Sequence, residues 1–214
     1  MSAGAGNGLT VAVPRGALLG ETLDLLDGLG IDTTEVRGNE RKLLFEDAGL
    51  VTMRPSDVPT YVEHGAADIG VTGKDVLMEQ DQREVYELLD LGFGHCRMVV
   101  AARSGEDALG TSLRRLGRVR VATKYPRVAA RWFTETGRQA EIVEVKGSVE
   151  LAPLTGLVDA IVDLTATGRT LAENGLHVVE EIGGCTARLI ANPVAHKLKA
   201  AEIDALVERI RGMR

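Results

Sequence analysis

The sequence predicts an α/β fold in two lobes, and three observations support this prediction. Short apolar runs alternate with amphipathic segments along the 214 residues, as strands and helices do in α/β proteins. Two extended, glycine-bearing stretches near residues 92–100 and 183–191 suggest crossings between lobes. Three loops rich in glycine, threonine and cations follow strands and are expected to face a cleft between the lobes.

The two crossings set the expected domain boundaries. The first lobe comprises residues 1–95 and is completed by residues 184–214, so it is discontinuous in sequence. The second lobe comprises residues 96–183.

The composition excludes several classes of protein. Hydrophobic residues make up 44% and charged residues 26%, which is ordinary for a soluble globular protein. The net charge of −6 argues against nucleic-acid binding, and no stretch has the length and apolarity of a membrane span. Cys96 and Cys185 show no metal-binding spacing, so we expect a reducing compartment, the cytoplasm, and no zinc site. Residues 1–8 resemble a frayed tail and lack the features of a signal peptide.

The first lobe begins with a βα unit. Residues 9–14 are predicted to form a strand that ends at a proline, Arg15-Gly16 a turn, and residues 17–29 a helix with leucines at helical spacing. Glycine at such a turn is commonly structural, but it also permits a close approach to a ligand. Residues 36–47 form a charge run containing Arg41 that leads into an apolar strand. This run is either a solvated surface or a source of cations for the site.

The next strand–helix–strand segment contains a second candidate loop. Residues 49–55 are predicted as a strand, residues 56–65 as a helix and residues 67–71 as a strand. Thr72-Gly73-Lys74 follows as a candidate phosphate or purine loop. It is not a Walker A motif, because no glycine stands at the required spacing before Gly73-Lys74.

The second lobe repeats the alternation. Strands are predicted over residues 86–91, which lead into the lobe, and over 97–102, 118–123, 141–145 and 178–182. Helices are predicted over residues 128–136 and 151–157, with a short helix in the polar stretch 105–117.

The last helix returns to the first lobe. Residues 197–211 form this predicted terminal helix, with Ile203, Leu206, Val207 and Ile210 on one face.

The strongest site candidate follows the apolar run of residues 158–163. Three hydroxyls, one glycine and one arginine come directly after this predicted strand and before a predicted helix, in the order Thr165, Ala166, Thr167, Gly168, Arg169, Thr170. Backbone N–H groups at a helix start, with hydroxyl donors, suit a phosphate. Asp163 would lie at the edge of this loop and accept from sugar hydroxyls. The alternative is an ordinary strand-to-helix turn capped by threonine.

Over residues 9–211, the chain resembles the short form of ATP phosphoribosyltransferase, the enzyme that opens histidine biosynthesis. The resemblance is carried by the loop above, continuing through Asn174-Gly175-Leu176, and by six further motifs in the same order: Val11-Ala12-Val13-Pro14-Arg15-Gly16, Arg41-Lys42-Leu43, Asp57-Val58-Pro59-Thr60-Tyr61-Val62, Asp68-Ile69-Gly70-Val71-Thr72-Gly73-Lys74-Asp75, Ala122-Thr123-Lys124-Tyr125-Pro126 and Gly147-Ser148-Val149-Glu150. Each motif alone is weak, and their combination is specific.

The resemblance implies a fold like that of type II periplasmic binding proteins. It also implies transfer of phosphoribosyl from phosphoribosyl pyrophosphate to N1 of the adenine of ATP, with release of pyrophosphate. Mg²⁺ would be carried by the substrate pyrophosphate without protein ligands, and histidine would inhibit. The expected partner is a regulatory subunit similar to histidyl-tRNA synthetase, in an assembly of four copies of each chain that contains dimers of this chain.

The resemblance assigns residues to each substrate. The phosphoribosyl side would comprise Asp163, Thr165, Ala166, Thr167, Gly168, Arg169, Thr170, Ser148 and Glu150. The ATP side would comprise Arg15, Gly16, Asp68, Thr72, Gly73 and Lys74. Arg15 and Arg41 would be catalytic cations that meet the pyrophosphate or triphosphate. One departure bears on Arg15: many family members have arginine directly after the first-turn glycine, where this chain has Ala17.

Two other functions remain open from the sequence. A non-catalytic solute receptor or effector sensor could use the same two-lobed scaffold, although no signal peptide or helix-turn-helix segment is evident. A P-loop nucleotidase is disfavoured by the missing glycine before Gly73. Stabilisation by a single small solute would favour a receptor, and ATP hydrolysis without the sugar donor would favour a nucleotidase.

Overall fold

The chain forms two compact α/β units in a computed structural model that describes residues 8–39, 41–105 and 107–213. Unit 1 contains the described residues up to Gly94 and those from Thr186 onward, and unit 2 is His95–Cys185. The chain therefore changes unit one residue before the first predicted boundary and two residues after the second. No helix in the described part of the chain is long and apolar enough to span a membrane.

Unit 1 is built on a six-stranded sheet of order β2-β3-β1-β4-β11-β5. β1 lies between β3 and β4 and runs parallel to both, whereas β11 is antiparallel to β4 and to β5. The strands are β1 (Val11–Pro14), β2 (Leu44–Phe45), β3 (Leu50–Met53), β4 (Ile69–Gly73), β5 (Tyr86–Asp90) and β11 (Ala187–Ala191). The carboxyl ends of β1, β3 and β4 therefore lie at one edge.

Helices cover both faces of this sheet. They are α1 (Leu19–Gly28), α2 (Thr34–Gly38), α3 (Val58–Glu63), α4 (Lys74–Glu79), α9 (Pro193–Leu198) and α10 (Ala200–Gly212). Successive side chains of β1 point to opposite faces of the sheet, as in any pleated strand. Val11 and Val13 belong to a core shared with α1 and α10, and Ala12 belongs to a second core formed with α3.

Two short helices of unit 1 differ from the predictions. α2 overlaps the start of the charged stretch of residues 36–47, and Val36 is buried in the core while Arg37 bonds to Asp24 and Asp27 at 2.7 and 2.8 Å. α9 begins at Pro193, ahead of the predicted terminal helix of residues 197–211. Asn192 Oδ1 accepts from the N–H of Ala195 at 2.8 Å, so the proline occupies the first helical position, where its missing N–H costs nothing.

Unit 2 is built on a five-stranded sheet of order β10-β6-β9-β7-β8. β7 runs parallel to β8 and β9, whereas β6 is antiparallel to β9 and to β10. The strands are β6 (Cys96–Arg103), β7 (Val119–Thr123), β8 (Ala140–Glu144), β9 (Ala160–Thr165) and β10 (Leu176–Cys185). β10 is longer than predicted and contains two register shifts.

The helices of unit 2 are α5 (Ala108–Leu116), α6 (Pro126–Glu135), α7 (Leu151–Leu154) and α8 (Arg169–Glu173). The end of α6 is tied to β10, because Arg138 makes a two-pronged ion pair with Glu180 at 2.6 and 2.7 Å. Trp132 Nε1 donates to the same carboxylate at 3.1 Å. These charge-assisted bonds hold the pKa of Glu180 below its usual value.

The two cysteines lie directly opposite each other in the β6–β10 pair, where Cys185 is in register with Cys96. Cys185 is buried and Cys96 is half-buried, and neither is in a disulfide. The sequence left open whether these residues approach each other. The register shows that they are cross-strand neighbours at the end of unit 2.

Candidate functional site

The carboxyl edge of the unit 2 sheet gathers the residues predicted for the phosphoribosyl side. β7, β8 and β9 are parallel and in register, with Thr123 opposite Val162 on one side and Glu144 on the other. The loops that follow these three strands therefore start at the same edge. They carry Lys124, the Ser148–Glu150 segment and the loop of residues 165–170.

The loop of residues 165–170 turns from the end of β9 into the start of α8. Thr165 Oγ1 accepts from the N–H of Gly168 at 2.8 Å, which folds the loop back on the end of β9. Gly168 has a φ of +77°, and α8 starts immediately after it. No heavy atom lies within 4 Å of where a Cβ on Gly168 would stand, so the backbone here is open to a ligand.

The side chains of this loop divide into an anchor and an exposed rim. Thr165 is buried, whereas Ala166, Thr167 and Thr170 are exposed. Arg169 is also exposed, and its Nε donates to Glu173 Oε1 at 2.8 Å. The first N–H groups of a helix have no intrahelical acceptor. Here the N–H of Gly168 donates to Thr165 Oγ1, and the N–H of Arg169 donates to Thr167 Oγ1 at 3.4 Å, within an exposed loop. The loop can therefore offer N–H and hydroxyl donors together.

Asp163 lies at the base of the loop with only 14% of its side chain exposed. Its Oδ1 accepts from the N–H of Leu164 at 2.8 Å, and Lys124 Nζ stands 3.5 Å from the same oxygen. Burial raises the pKa of Asp163, Lys124 acts against this rise, and the charge of Glu150 adds to it. The Asp163 carboxylate is thus largely shielded from solvent, with the Lys124 ammonium beside it.

Ser148 and Glu150 lie in the loop between β8 and α7, just before α7 begins. Val149 between them is fully buried and anchors the segment in the unit 2 core. Ser148 is exposed and Glu150 is half-buried, and Glu150 is near enough to act electrostatically on Asp163. The structure therefore places this segment after β8, at the same edge of the sheet as Asp163 and the loop of residues 165–170.

Lys124 was not among the predicted site residues. It follows β7 within a motif that was assigned to a turn, and no sequence pattern links it to Asp163. The link arises because β7 and β9 are neighbours, with Thr123 paired to Val162. Lys124 directly follows one predicted strand, and Asp163 ends another. Had these two strands been predicted as neighbours, the pairing of Lys124 with Asp163 would have followed.

In unit 1, Arg15 lies at the carboxyl end of β1 and is held in place. Its Nε donates to Thr52 Oγ1 at 3.1 Å, and its Nη2 donates to the carbonyl of Lys42 at 2.9 Å. Gly16 follows with a φ of +79°, a conformation that favours glycine. Arg15 thus fastens the loop that carries Arg41 to the end of β1.

Arg41 belongs to that loop and is exposed, with its N–H donating to Asn39 Oδ1 at 3.2 Å. A cavity of about 600 Å³ adjoins the loop and is lined by Arg15, Gly16, Leu19, Asn39 and Lys42 among others. Lys42 is paired with Glu35 at 2.5 Å. Arg15 and Arg41 therefore lie in one region of unit 1, as two cations at the carboxyl edge of its sheet.

Thr72, Gly73 and Lys74 lie where β4 ends and α4 begins, and each has a structural contact. Thr72 is fully buried and donates to the carbonyl of Pro55 at 2.9 Å. The N–H of Lys74 donates to the carbonyl of Thr186 at 2.9 Å, and its ammonium pairs with Glu87 at 2.7 Å. A role for Lys74 in binding ATP would require it to leave Glu87.

Asp68 lies at the opposite edge of the unit 1 sheet, immediately before β4. Its Oδ2 accepts from the N–H of Thr10 at 2.7 Å and from Lys199 Nζ at 2.8 Å. The structure does not bring it together with Thr72, Gly73 and Lys74, because a whole strand separates them. We correct the expectation for this residue: its carboxylate ties the start of β1 to the beginning of α10.

Comparisons with known structures first define the class of protein. The chain superposes on the periplasmic aliphatic sulphonate binding protein SsuA from Escherichia coli with a TM-score of 0.57 and 12% identity, covering 94% of this chain and 70% of the other. It superposes on a chain of the ATP phosphoribosyl transferase (HisG:HisZ) complex from Thermotoga maritima with a TM-score of 0.80 and 36% identity, covering 95% and 96%. The scaffold is that of the type II periplasmic binding proteins, as predicted.

Sequence comparisons then identify the family. The family model of ATP phosphoribosyltransferase matches residues 54–212. The ATP phosphoribosyltransferase of Rubrobacter xylanophilus is 52% identical over 206 residues, which is 95% of each chain. That of a Geobacillus species is 46% identical over 208 residues, or 94% of this chain and 97% of the relative. The chain belongs to the ATP phosphoribosyltransferase family of phosphoribosyl-transferring enzymes, and the matched relatives have the length of the short form.

Proposed function

We propose that this protein transfers the phosphoribosyl group of phosphoribosyl pyrophosphate to N1 of the adenine of ATP. The products are N1-(5-phosphoribosyl)-ATP and pyrophosphate, and the reaction is the first step of histidine biosynthesis. The observation that carries the proposal is the loop of residues 165–170 with Asp163 at its base. It combines donors for a phosphate with an acceptor for sugar hydroxyls in a chain that belongs to this family.

The reaction needs placement and charge stabilisation more than it needs a base. N1 of adenine is a neutral nucleophile with an available lone pair, so no proton must be removed before it attacks. The bond from N1 to C1 of the ribose forms with inversion as the bond from C1 to pyrophosphate breaks. Negative charge then grows on the leaving pyrophosphate while the sugar becomes oxocarbenium-like, and fixed cations and N–H donors stabilise that change.

On the phosphoribosyl side, we assign the 5′-phosphate to the loop of residues 165–170. Its N–H groups and hydroxyls are donors, and Gly168 lets the backbone approach the ligand closely. Asp163 would accept from the ribose hydroxyls, because an ionised carboxylate is an acceptor only. Ser148 and Glu150 would complete the wall of this subsite.

On the ATP side, we assign charge stabilisation to Arg15 and Arg41 and contact with the nucleotide to Gly16 and Lys74. Thr72 and Gly73 are buried, so they are assigned the structural role of holding the start of α4. Arg15 is fixed by Thr52 and the Lys42 carbonyl, whereas the Arg41 side chain is exposed. A planar guanidinium can bind two phosphate oxygens at once. Asp68 is left out of this assignment because its carboxylate serves Thr10 and Lys199.

We propose Mg²⁺ as the cofactor, carried by the substrate pyrophosphate. Mg²⁺ prefers oxygen ligands and commonly binds proteins through one or two carboxylates plus substrate phosphates. The substrate phosphates supply these oxygen ligands, and no carboxylate of the protein is assigned to the metal. The described residues contain no group of three or more histidines, cysteines or acids that could hold a metal alone. When bound, Mg²⁺ would neutralise charge on the leaving pyrophosphate.

We also propose a regulatory partner similar to histidyl-tRNA synthetase. A solved relative that is 36% identical comes from a HisG:HisZ complex. The partner would act with dimers of this chain in an assembly of four copies of each chain and would mediate inhibition by histidine. The substrates are cytoplasmic metabolites, so we place the reaction in the cytoplasm.

The test is product identification. The chain is incubated with ATP, phosphoribosyl pyrophosphate, Mg²⁺ and a pyrophosphatase, with and without the regulatory partner, and the nucleotides are resolved by mass spectrometry. We expect a nucleotide whose mass equals that of ATP plus one phosphoribosyl group. Conversion of ATP to ADP that does not depend on the sugar donor would overturn the proposal.

A further inference from the structure

Asp163 poses an electrostatic problem for the proposed function. It must be ionised to accept from ribose hydroxyls, yet it is mostly buried and Glu150 places a like charge nearby. Both conditions favour the protonated form, which would present a donor in place of an acceptor. The described groups that act on Asp163 are the Lys124 ammonium from the end of β7, the Glu150 carboxylate from the start of α7 and the N–H of Leu164. The facing residue of β6 is Val99, which is apolar.

We propose that Lys124 is a positioning residue for the phosphoribosyl donor and keeps the Asp163 carboxylate charged and in place beside the phosphate loop. The proposal rests on the proposed function. Lys124 Nζ lies 3.5 Å from Asp163 Oδ1, close enough to favour the ionised form without occupying the carboxylate fully. Asp163 Oδ1 also accepts from Leu164, so Oδ2 remains for the sugar.

The fold fixes the backbone from which Lys124 reaches Asp163. Thr123, the preceding residue, is fully buried, and its Oγ1 donates to the carbonyl of Val162 at 2.6 Å. The N–H of Tyr125, the following residue, donates to the Thr123 hydroxyl at 2.9 Å. One threonine thus ties the backbone on both sides of Lys124 to the residue before Asp163. The Lys124 ammonium also lies 5.1 Å from the centre of the Tyr125 ring, which limits where it can move.

A different role for Lys124 would be direct contact with a phosphate of the donor. The two roles differ in their dependence on pH. Loss of a direct contact weakens binding by a similar factor at every pH. Loss of a cation that keeps Asp163 ionised weakens binding most at low pH, and the defect shrinks at high pH, where Asp163 ionises without help.

The chain provides a matched control at the other end of β7. Arg118 precedes this strand, and its Nη2 lies 3.5 Å from Glu141 Oε2, the same separation as in the Lys124–Asp163 pair. Arg118→Gln therefore removes one positive charge and one ion pair of equal length from the same strand. It does so at the amino edge of the sheet, away from the phosphate loop.

The experiment measures the affinity for phosphoribosyl pyrophosphate by calorimetry between pH 5.5 and 8.5, for the wild type, Lys124→Gln, Lys124→Arg and Arg118→Gln. Each variant is compared with the wild type at the same pH, so titration of the ligand itself cancels. We expect Lys124→Gln to lose roughly tenfold in affinity at the acid end and much less at the alkaline end. Lys124→Arg should restore most of the loss, and Arg118→Gln should match the wild type.

A double variant tests whether Lys124 acts through Asp163. Adding Lys124→Gln to Asp163→Asn should change affinity by no more than about twofold, because the carboxylate it serves is absent. A loss that is equal at every pH, or that persists in the Asp163→Asn background, would overturn the positioning role. Melting temperatures of all variants identify any that fail to fold. If Lys124→Gln fails to fold, Lys124→Met takes its place, because methionine is unbranched like lysine and carries no charge.

Failure of this inference is distinguishable from failure of the proposed function. If the wild type neither binds phosphoribosyl pyrophosphate nor forms the ribosylated nucleotide, the proposed function falls. If the wild type does both and Lys124→Gln behaves as Arg118→Gln does, only the role of Lys124 falls.

Discussion

At the scale of single residues, the binding role proposed for Asp163 opposes the stability of the folded protein. Its pKa is raised mainly by burial, so the folded protein pays to ionise it. A carboxyl group whose pKa is raised on folding stabilises the folded state below its unfolded pKa, and that stability is lost as the pH rises through the folded pKa. The residue is thus tuned to accept from a ligand at neutral pH rather than to support the fold.

Asp163→Asn should therefore raise stability while it weakens binding of the sugar donor to a measurable extent. Asparagine resembles the protonated acid, so the gain should be near zero below about pH 4 and should grow toward pH 8. We expect the Tm at pH 8 to rise by a few degrees, since about 1 kcal/mol moves the Tm of a chain of this size by roughly 2–4 °C. Asp204→Asn, on the exposed face of α10, is the control and should change neither property. A fall in Tm at pH 8 would contradict this account.

Arg41 should matter for turnover and not for stability. Its side chain is exposed, and its backbone N–H donates to Asn39 Oδ1 at 3.2 Å. We expect Arg41→Ala to lower kcat by roughly 10²-fold or more, in line with the loss of one transition-state donor. The Tm should stay within about 1 °C, because exposed substitutions seldom exceed about 0.5 kcal/mol.

The control for Arg41 is Arg211→Ala, which removes an exposed arginine from α10 in the same unit. It should leave both kcat and Tm unchanged. An Arg41→Ala protein with normal turnover would remove this residue from the mechanism, whatever its melting temperature.

At the scale of elements, the phosphate loop depends on the backbone conformation of Gly168. Its φ of +77° is one that residues other than glycine adopt at a cost of about 1 kcal/mol. A methyl group there would also enter the space from which a phosphate would approach the N–H groups. Gly168→Ala should therefore weaken both folding and ligand binding.

Gly117 allows these two effects to be separated. It ends α5 in the same unit with a φ of +68°, and it too has open space around its Cβ position. Gly117→Ala should lower the Tm by roughly the same 2–4 °C as Gly168→Ala. In calorimetry with phosphoribosyl pyrophosphate, only Gly168→Ala should lose affinity, by roughly tenfold. Equal affinity in the two variants would place the phosphate elsewhere.

How far the sequence predicts these elements depends on how local their causes are. β1 and β9 were predictable because each is a short apolar run that ends at a proline or an acid, and the phosphate loop follows from residues adjacent in the chain. α9 was missed because Pro193 after a strand indicates where that strand ends and does not by itself indicate a helix. The helix start depends on the Ala195 N–H, which donates to Asn192 Oδ1. α2 was missed because its single buried residue, Val36, gives no helical period.

Site residues that depend on neighbouring strands were harder to predict than those in a single loop. Lys124 joins the site because β7 lies beside β9, which no local pattern reveals. Asp68 was grouped with Thr72 because they are close in sequence, yet β4 separates them and Asp68 bonds to Lys199. In both cases the order and length of the strands, rather than proximity in sequence, determine which side chains lie close together.

At the scale of the whole molecule, the chain carries a local binding chemistry that its overall charge does not reveal. The net charge is −6, yet the loop of residues 165–170 offers backbone and hydroxyl donors, and Arg15 and Arg41 add cations in unit 1. Likeness to binding proteins at 12% identity shows the scaffold alone, so the chemistry must come from these residues. Family membership and local geometry both support the proposal that a phosphoribosyl donor binds to unit 2.

The most direct test of the central claim is a crystal structure of this protein with phosphoribosyl pyrophosphate and Mg²⁺. The account predicts the 5′-phosphate within hydrogen-bond distance of the N–H groups of residues 166–170, with the ribose hydroxyls on Asp163. A donor bound with its phosphate away from this loop, or a loop that buries its N–H groups against the protein, would contradict it.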